Sequence, residues 1–405
     1  MEQFRITRLG HQGDGIADGP LFAPLTLPDE VITGTVVGKT ISDVRIVTPS
    51  DQRVKPICSH FKSCGGCQLM HASDDFVADW KLQVIEQALA AHDLDTQLNA
   101  TVTSPIKSRR RAAFSARRTK KGAQVGFHAR ASDTIVDIPN CQLLDPSLLA
   151  AVPIIAELAQ LAGSRKAELT ALTTVTENGL DMAVTGGKPV DGALRVALGQ
   201  FCETRKLARL SWDGDVIAMR LPPTQTFGTA RVLPPAGSFL QATKQGETDL
   251  VTQVQSIIGP AAKVADLFSG CGTFALPLAQ TAEVHAIEGD ADMIKALDRS
   301  WRDTTGLKRV TSQTRDLFRR PLLPDELNRF DAMVIDPPRA GAQAQIAEIS
   351  ASRVPIIAYV SCNPVTFARD AAQLVQGGYD LEWITPIDQF RWSTHVELVA
   401  KFSKR

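Results

Sequence analysis

The sequence predicts an α/β protein whose last third is a doubly wound, mostly parallel sheet, preceded by a central α+β region and a small β-barrel. From about Ser238 onward, apolar strand-like runs alternate with helical stretches, as in parallel sheets that are covered on both faces. The preceding stretch mixes helical and strand patterns, and the first 55 residues contain short runs broken by glycine and proline. The predicted domains are residues 1–55, 56–237 and 238–405.

Length and composition exclude several classes of protein. The chain has 405 residues, enough for two or three domains with separate cores, and 44% hydrophobic with 22% charged residues argues against disorder. No apolar run approaches the roughly 18 residues of a membrane span, and no export signal is evident, so we expect a cytoplasmic protein without a membrane partner. Seven cysteines, an odd number, argue against a disulfide framework in such a compartment.

The elements of the first two regions follow from local patterns. Short runs such as FRITRLG and EVITGTVVG, separated by turn residues, predict the barrel strands. Apolar residues at helical spacing predict an amphipathic helix from Phe76 to about Leu94. The segments AAFSARR and AQVGFHAR, joined by KKG, predict a hairpin, and the segments that follow predict a mixture of helix and strand.

A strongly basic window coincides with this hairpin. No acidic residue lies between Asp95 and Asp133, whereas nine cations do: Lys107, Arg109, Arg110, Arg111, Arg117, Arg118, Lys120, Lys121 and Arg130. A solvated surface is the ordinary interpretation of a charge run, but an uncompensated run favours contact with RNA phosphates. Phe114 and Phe127 are interleaved with the cations and would stack on bases.

Closely spaced cysteines in CSHFKSCGGCQ predict a metal site. Cys58, Cys64 and Cys67 lie beside two glycines, and Cys141 follows far downstream in IPNCQ. Packing alone seldom crowds thiols in this way. Four thiolates suit zinc and an iron–sulfur cluster equally well by chemistry.

The last third contains a glycine-rich turn, VADLFSGCGTFAL, between a strand and a helix. Asp266 ends the strand, Gly270 and Gly272 form the turn, and Glu288 ends the next strand, where a carboxylate can bind a ribose. A purely structural turn is the alternative. The third glycine of the dinucleotide fingerprint is missing, so the pattern favours the S-adenosylmethionine turn of a class I methyltransferase.

Two further strands end in reactive side chains at the same predicted edge. Asp336 follows one strand in VIDPPRAG, and Cys362 follows the next in IIAYVSCNP. A cysteine in a strand is usually inert packing, but a thiol at the ligand-binding edge of an open sheet is placed to act as a covalent nucleophile. The last two strands, joined by the short RWST link, must be antiparallel.

Five motifs in order, DLFSGCGTF, IEGD, DPPRAG, SCNP and HVELVAKF, resemble the RNA uracil-5 methyltransferase family. The resemblance implies a class I methyltransferase fold, S-adenosylmethionine as cofactor, Cys362 as nucleophile and Glu397 as base. It also implies a four-iron, four-sulfur (4Fe-4S) cluster on Cys58, Cys64, Cys67 and Cys141, and an RNA-binding barrel of the OB or TRAM type. The cofactor contacts implied by motif position are Gln241, Phe268, Thr273, Glu288, Asp316 and Asp336.

The expected activity is therefore methylation of carbon 5 of a uridine in RNA, by a monomer. Large-subunit ribosomal RNA is the expected substrate, because the cluster motif and the barrel occur together more often among those family members, and transfer RNA is the alternative. A cytosine-5 enzyme is disfavoured because DPPR contains no cysteine. Two rivals remain, a non-catalytic RNA-binding or assembly factor and a zinc-bearing methyltransferase acting on nitrogen.

Overall fold

The structure is a computed structural model that describes residues 2–405, and its N-terminal part is a closed five-stranded barrel. The barrel strands are β1 (Gln3–Leu9), β2 (Gly15–Ala17), β3 (Leu21–Ala23), β4 (Val31–Val37) and β5 (Thr40–Thr48). They close in the order β1-β2-β3-β5-β4 around a small apolar core that includes Ile6, Ile32 and Ile41. The predicted barrel is confirmed.

A helix and two short strands connect the barrel to the rest of the chain. They are α1 (Asp74–Ala90), β6 (Gln97–Leu98) and β7 (Val102–Thr103). The helix begins earlier than the predicted Phe76, because the Ser73 side chain caps it by accepting a hydrogen bond from the Phe76 amide at 3.2 Å. It ends at Ala90, before the predicted Leu94.

The central region forms a seven-stranded sheet covered by two helices. Its elements are β8 (Arg111–Arg118), β9 (Ala123–His128), β10 (Ile135–Asp137), α2 (Pro146–Ala162), β11 (Leu169–Thr176), β12 (Gly179–Thr185), α3 (Gly192–Thr204), β13 (Arg209–Trp212) and β14 (Asp215–Met219). The strand order is β10-β9-β8-β11-β12-β13-β14, and β8 and β9 are the predicted hairpin. A two-stranded ribbon follows, β15 (Gln225–Phe227) and β16 (Ala230–Val232).

The last region is a doubly wound sheet with alternating strands and helices. Its elements are α4 (Lys244–Ile258), β17 (Lys263–Leu267), α5 (Ala275–Leu278), β18 (Glu283–Glu288), α6 (Ala291–Asp303), β19 (Val310–Thr314), α7 (Pro324–Leu327), β20 (Ala332–Ile335), α8 (Gln343–Ser350), β21 (Ile356–Ser361), α9 (Pro364–Gln376), β22 (Tyr379–Asp388) and β23 (Leu398–Lys404). The strand order is β19-β18-β17-β20-β21-β23-β22-β6. Strands β17 to β21 are parallel, and β23 enters between β21 and β22 antiparallel to both.

This sheet includes pieces from the region that we predicted to be central. Strands β6 and β7 pair in parallel with β22, so residues 97–103 extend the last sheet instead of the central one. Each was too short, at two residues, to be recognised from its pattern. No helix in residues 2–405 is long and apolar enough to cross a membrane.

A buried ion pair ties the central sheet to the last region. The guanidinium of Arg110, next to β8, contacts the carboxylate of Glu247 in the first turn of α4, at 2.5 Å, and both side chains are buried. Arg110 also donates to the Gln241 carbonyl at 3.2 Å and to the Gln225 side chain at 3.2 Å. One arginine of the basic window therefore fixes the segment that enters α4.

Replacing Arg110 by methionine should destabilise the protein by about 3 kcal/mol, because it leaves the buried Glu247 carboxylate with only one of its two cationic partners, Lys244 at 2.5 Å. Urea unfolding measures the change. Arg205→Met is the control, since Arg205 pairs with Glu157 at 2.6 Å in an exposed ion pair, and the loss there should stay below about 1 kcal/mol. Equal losses in the two variants would contradict a role for the buried pair.

Candidate active site

Three residues of the glycine-rich turn after β17 have a left-handed backbone conformation, with positive φ. Phe268, Gly270 and Gly272 have φ values of 62°, 55° and 94°. A Cβ atom at Gly272 would lie 2.9 Å from Leu276, whereas one at Gly270 would meet no atom within 4 Å. Gly272 therefore permits close packing of the turn on α5, and Gly270 borders open space where a ligand can approach the backbone.

Glu288, at the end of β18, is held by the same turn. One of its carboxylate oxygens accepts a hydrogen bond from the Gly270 amide and the other accepts one from the Asp290 amide, both at 3.0 Å. These two amides fix the orientation of the carboxylate at the carboxyl edge of the sheet. The remaining lone pairs can accept hydrogen bonds from the hydroxyls of a ribose.

Two more carboxyl groups lie beside Glu288, Asp266 fully buried and Asp336 half-buried. Neither carboxyl oxygen of Asp266 has a hydrogen-bond partner within residues 2–405. Burial, with a contribution from Asp336, raises the pKa of Asp266 well above its usual value. Burial, and then Glu288, raises the pKa of Asp336 to about 7. The edge therefore has a marked electrostatic preference for a positively charged ligand.

Cys362 lies at the junction between β21 and α9. Asn363 caps α9 by accepting a hydrogen bond from the Val365 amide, and its side-chain nitrogen donates to the Arg339 carbonyl at 2.9 Å. The thiol lines a cavity of about 470 Å³ together with Arg339 and His395. The SCNP motif thus presents the sulfur at the wall of a cavity large enough for a nucleobase.

Strand register brings Glu397 next to this cysteine. Ser361 at the end of β21 is paired with Leu398 at the start of β23, in an antiparallel arrangement. The following residue on one strand, Cys362, therefore lies beside the preceding residue of the other, Glu397. Burial, and then Glu397 and Asp336, raises the pKa of the Cys362 thiol to about 11, whereas Arg339 lowers it.

Glu397 is buried, with 3% of its surface exposed. Burial raises its pKa to about 8, and a hydrogen bond from Gln389 acts in the opposite direction. The Gln389 side-chain nitrogen donates to Glu397 and also to the side-chain oxygen of Gln241. A carboxyl with this pKa can exchange a proton near neutral pH.

The structure places the other predicted cofactor residues around the same edge. Gln241 is buried beside Gln389. The ring of Phe268 lies 5.5 Å from that of Phe318, and the Phe318 amide donates to Asp316 at 2.9 Å. Thr273 is half-buried in the turn that leads to α5. The roles of these residues as cofactor contacts stay predictions.

The basic window is only partly a surface feature. Arg110 is buried against Glu247, and the Arg109 guanidinium lies 5.7 Å from the centre of the Phe390 ring. Phe114 is fully buried and stacks on Phe127 at a ring distance of 5.5 Å. The prediction that Phe114 stacks on RNA bases is therefore wrong, because β8 alternates and turns this ring into the central core. Exposed cations remain at Lys107, Arg117, Lys120 and Lys121.

The four cysteines of the predicted cluster converge from distant parts of the chain. They are half-buried and unpaired: Cys58, Cys64, Cys67 and Cys141. Burial raises the pKa of the Cys67 thiol to about 12, with smaller contributions from the other three cysteines. Within residues 2–405, however, no three or more His, Cys, Asp or Glu side chains are arranged to hold a metal ion. The predicted 4Fe-4S site is therefore not supported by this arrangement and stays a prediction.

Gln389 is a buried side chain of this site that the sequence did not reveal. It follows Asp388 at the end of β22, and it connects Gln241 with Glu397. The only sequence signal is a pair of polar residues directly after an apolar strand. Without the pairing of β22 with β23, that signal does not distinguish a site residue from the start of a loop.

Comparisons with known proteins point to one family. The family model described as tRNA (Uracil-5-)-methyltransferase matches residues 304–405. An uncharacterised RNA methyltransferase of Mesorhizobium japonicum is 44% identical over 406 residues, covering 99% of this chain and 98% of that protein. The 23S rRNA (uracil(1939)-C(5))-methyltransferase RlmD of Shewanella piezotolerans is 30% identical over 420 residues, covering 98% of this chain and 94% of that protein.

A solved structure has the same fold over the whole chain. It is the tRNA (uracil-54, C5)-methyltransferase of Pyrococcus abyssi in complex with S-adenosyl-L-homocysteine, with a TM-score of 0.78 and 22% identity. The match covers 99% of this chain and 100% of that protein. The predicted fold class, a class I methyltransferase sheet with additional regions, is confirmed.

The unpartnered carboxyl of Asp266 predicts a specific dependence of stability on pH. Its pKa is higher in the folded protein than in the unfolded chain, so the free energy of unfolding falls as the pH rises above about 4. The fall is about 1.4 kcal/mol for each pH unit over which the folded protein keeps the proton. Asp266→Asn should remove this part of the dependence in protein without ligand.

Urea unfolding of wild type and Asp266→Asn at pH 5, 6 and 7 measures the difference. The two free energies should diverge with increasing pH, with the wild type losing stability faster. If the free energies of unfolding of the two proteins changed with pH in parallel, Asp266 would ionise in the folded protein at its ordinary pKa, and the prediction would be contradicted.

Proposed function

This chain belongs to the RNA uracil-5 methyltransferase family, whose members use S-adenosylmethionine, and on that premise we propose its target and its catalytic residues. The target is carbon 5 of a specific uridine in large-subunit ribosomal RNA. The reaction passes through a covalent bond between Cys362 and the uracil ring. The observation that carries this proposal is the register that sets Cys362 beside the buried Glu397 at the ligand-binding edge of the sheet.

Cys362 is proposed as the nucleophile. Carbon 5 of uracil is a poor nucleophile until a thiolate adds at carbon 6 and produces an enolate. In the site without ligand, burial keeps the thiol protonated at neutral pH, since its pKa is about 11. S-adenosylmethionine, when bound, supplies the methyl group and a positive sulfonium charge. The Cys362 proton must pass to solvent in the cavity before the sulfur adds, and Arg339, which already lowers the pKa of Cys362 and lies on the same cavity wall, favours the thiolate that forms.

Glu397 is proposed as the base. After methyl transfer, the bond between carbon 5 and its hydrogen must break, and the proton passes to the Glu397 carboxylate. The electron pair then forms the double bond between carbons 5 and 6, and the bond from carbon 6 to sulfur breaks to restore the thiolate. A pKa of about 8 makes Glu397 a stronger base than an exposed glutamate.

The carboxyl edge is proposed as the cofactor site. Glu288 would bind the ribose hydroxyls, because two backbone amides already orient its carboxylate. The carboxyls of Asp266 and Asp336 beside it, which form no ion pair within residues 2–405, suit the positive charges of the cofactor. The further contacts proposed are Gln241, Phe268, Thr273, Asp316 and Asp336.

Ribosomal RNA is preferred over transfer RNA as the substrate. The similarity to the 23S rRNA enzyme of Shewanella piezotolerans extends over almost the whole of both chains at 30% identity. The tRNA enzyme of Pyrococcus abyssi shares the fold at 22% identity. The barrel of residues 1–55 and the exposed cations of the basic window would hold RNA near the Cys362 cavity, and we propose 56–237 and 238–405 as the central and catalytic domains.

A 4Fe-4S cluster on Cys58, Cys64, Cys67 and Cys141 is also part of the proposal. Three of the four thiols pack against one apolar cluster that contains Trp392, and the fourth, Cys64, accepts a hydrogen bond from the Gly66 amide. A cluster of several irons binds each thiolate to a different iron, so its ligands do not have to surround one point. Its role would be structural, outside the methyl-transfer site.

The test of the proposed function is tritium release from RNA labelled at carbon 5 of uracil, with purified enzyme and S-adenosylmethionine. Wild type should release tritium from large-subunit ribosomal RNA and not from transfer RNA. Cys362→Ala should abolish release, because no thiolate can add to carbon 6.

Cys202→Ala is the matched control, since Cys202 is a free cysteine buried in the central region, and its release should stay near that of wild type. Release by Cys362→Ala would refute the covalent mechanism. Release from transfer RNA alone would transfer the proposal to that substrate.

Iron and acid-labile sulfide analysis of protein purified without oxygen tests the cluster. About four of each per chain are expected, and Cys67→Ser should lower both. Zinc without sulfide, or no metal, would refute the cluster and leave the proposed methyl transfer unaffected.

A further inference from the structure

We propose that Gln389 is a positioning residue that orients Glu397 for removal of the proton from carbon 5, an inference that rests on the proposed function. Gln389 has 1% of its surface exposed and lies between Gln241 and Glu397. Its side-chain nitrogen donates to the carboxylate of Glu397 and to the side-chain oxygen of Gln241. It therefore links a proposed cofactor contact directly to the proposed base.

The orientation of the Gln389 amide is fixed by the backbone. Its side-chain oxygen accepts hydrogen bonds from the Ala242 amide at 2.7 Å and from the Thr243 amide at 3.4 Å. Because those groups are donors, the oxygen must face them, and the nitrogen must face the two oxygens on the other side. Both hydrogens of the nitrogen are then used, one by Gln241 and one by Glu397.

The position of Gln389 is as constrained as its orientation. The preceding residue, Asp388, forms a buried ion pair with Lys81 of α1 at 2.6 Å. On the other side, a Cβ atom at Gly246 would lie 2.7 Å from the Cβ of Gln389, so the first turn of α4 has room for this side chain only because residue 246 is glycine. Because Gln389 is constrained on both sides, its side-chain nitrogen holds Glu397 in one position.

The hydrogen bond from Gln389 to Glu397 would assist the removal of the proton from carbon 5. The Glu397 carboxylate must point at the hydrogen on carbon 5 after the methyl group has arrived, while Cys362 is still bound to carbon 6. A donor to one carboxylate oxygen fixes the plane of the carboxylate and leaves the other oxygen free to take the proton. Without that donor, methyl transfer can occur, but elimination of the enzyme from the methylated ring is slow.

Gln389→Glu separates the two functions of the side chain. A carboxylate at position 389 can still accept the hydrogen bonds of Ala242 and Thr243, but in its ionised form it has no hydrogen to donate to Glu397 and repels the Glu397 carboxylate. In a single turnover with methyl-labelled S-adenosylmethionine and substrate RNA, we expect labelled RNA to remain covalently attached to the protein. Release should be slower than in wild type by roughly tenfold or more, the factor expected for the loss of a hydrogen bond to a charged group.

Two further variants keep the result interpretable. Gln389→Met has similar length and no polar atoms, and it should accumulate the same labelled complex even if Gln389→Glu is unstable. Gln345→Glu is the matched control, because Gln345 is a buried glutamine that bonds only the backbone of Leu322, at 2.8 Å and 3.1 Å. It should release methylated RNA at the wild-type rate.

Glu397→Gln defines the expected signature, since it lacks the base itself and should also accumulate the labelled complex. Wild-type release rates in both Gln389 variants would overturn the inference. So would a parallel loss of methyl transfer and of the complex, which would indicate a role in cofactor binding alone. If Glu397→Gln accumulates no complex and wild type transfers no methyl group, the proposed function itself has failed.

Discussion

The site depends on the gathering of four buried or half-buried carboxyl groups at the carboxyl edge of one sheet. Asp266, Glu288, Asp336 and Glu397 all lie there, and only Glu288 has both oxygens satisfied by backbone amides. Burying carboxyls together is unfavourable for their ionised forms and raises their pKa values. A cation bound at this edge would stabilise the ionised carboxyls. The cofactor of this family carries a positive charge.

The topology of the last three strands brings the two proposed catalytic residues to this edge. If β23 had been added at the outside of the sheet, Glu397 would lie far from Cys362. Its insertion between β21 and β22 sets Ser361 opposite Leu398 and so brings the thiol and the carboxylate to neighbouring positions. The same pairing sets the end of β22 next to the start of β23, where the Ile387 amide donates to the Glu397 carbonyl at 2.8 Å, and this brings Gln389 to the proposed base.

The sequence was most informative where one residue type is required at one backbone position. The glycine-rich turn, Glu288, Asp336 and Cys362 each follow a recognisable strand, so parallel pairing alone gathers them at one edge. It was least informative where partners are distant in sequence. Arg110 and Phe114 belong to a window that resembles an RNA-binding surface, yet contacts with α4 and with the central core turn both inward. Gln389 lies near Glu397 in the chain, but its partnership with Gln241 spans 148 positions.

The most direct test of the covalent mechanism is mass spectrometry of the protein after incubation with S-adenosylmethionine and substrate RNA that contains 5-fluorouridine. Fluorine at carbon 5 cannot leave as a proton does, so the reaction should stop after methyl transfer with the ring still attached to the enzyme. The account predicts a stable complex that carries the methyl group and is linked through the peptide containing Cys362. The absence of any covalent complex while unmodified RNA is methylated, or a link through another residue, would contradict it.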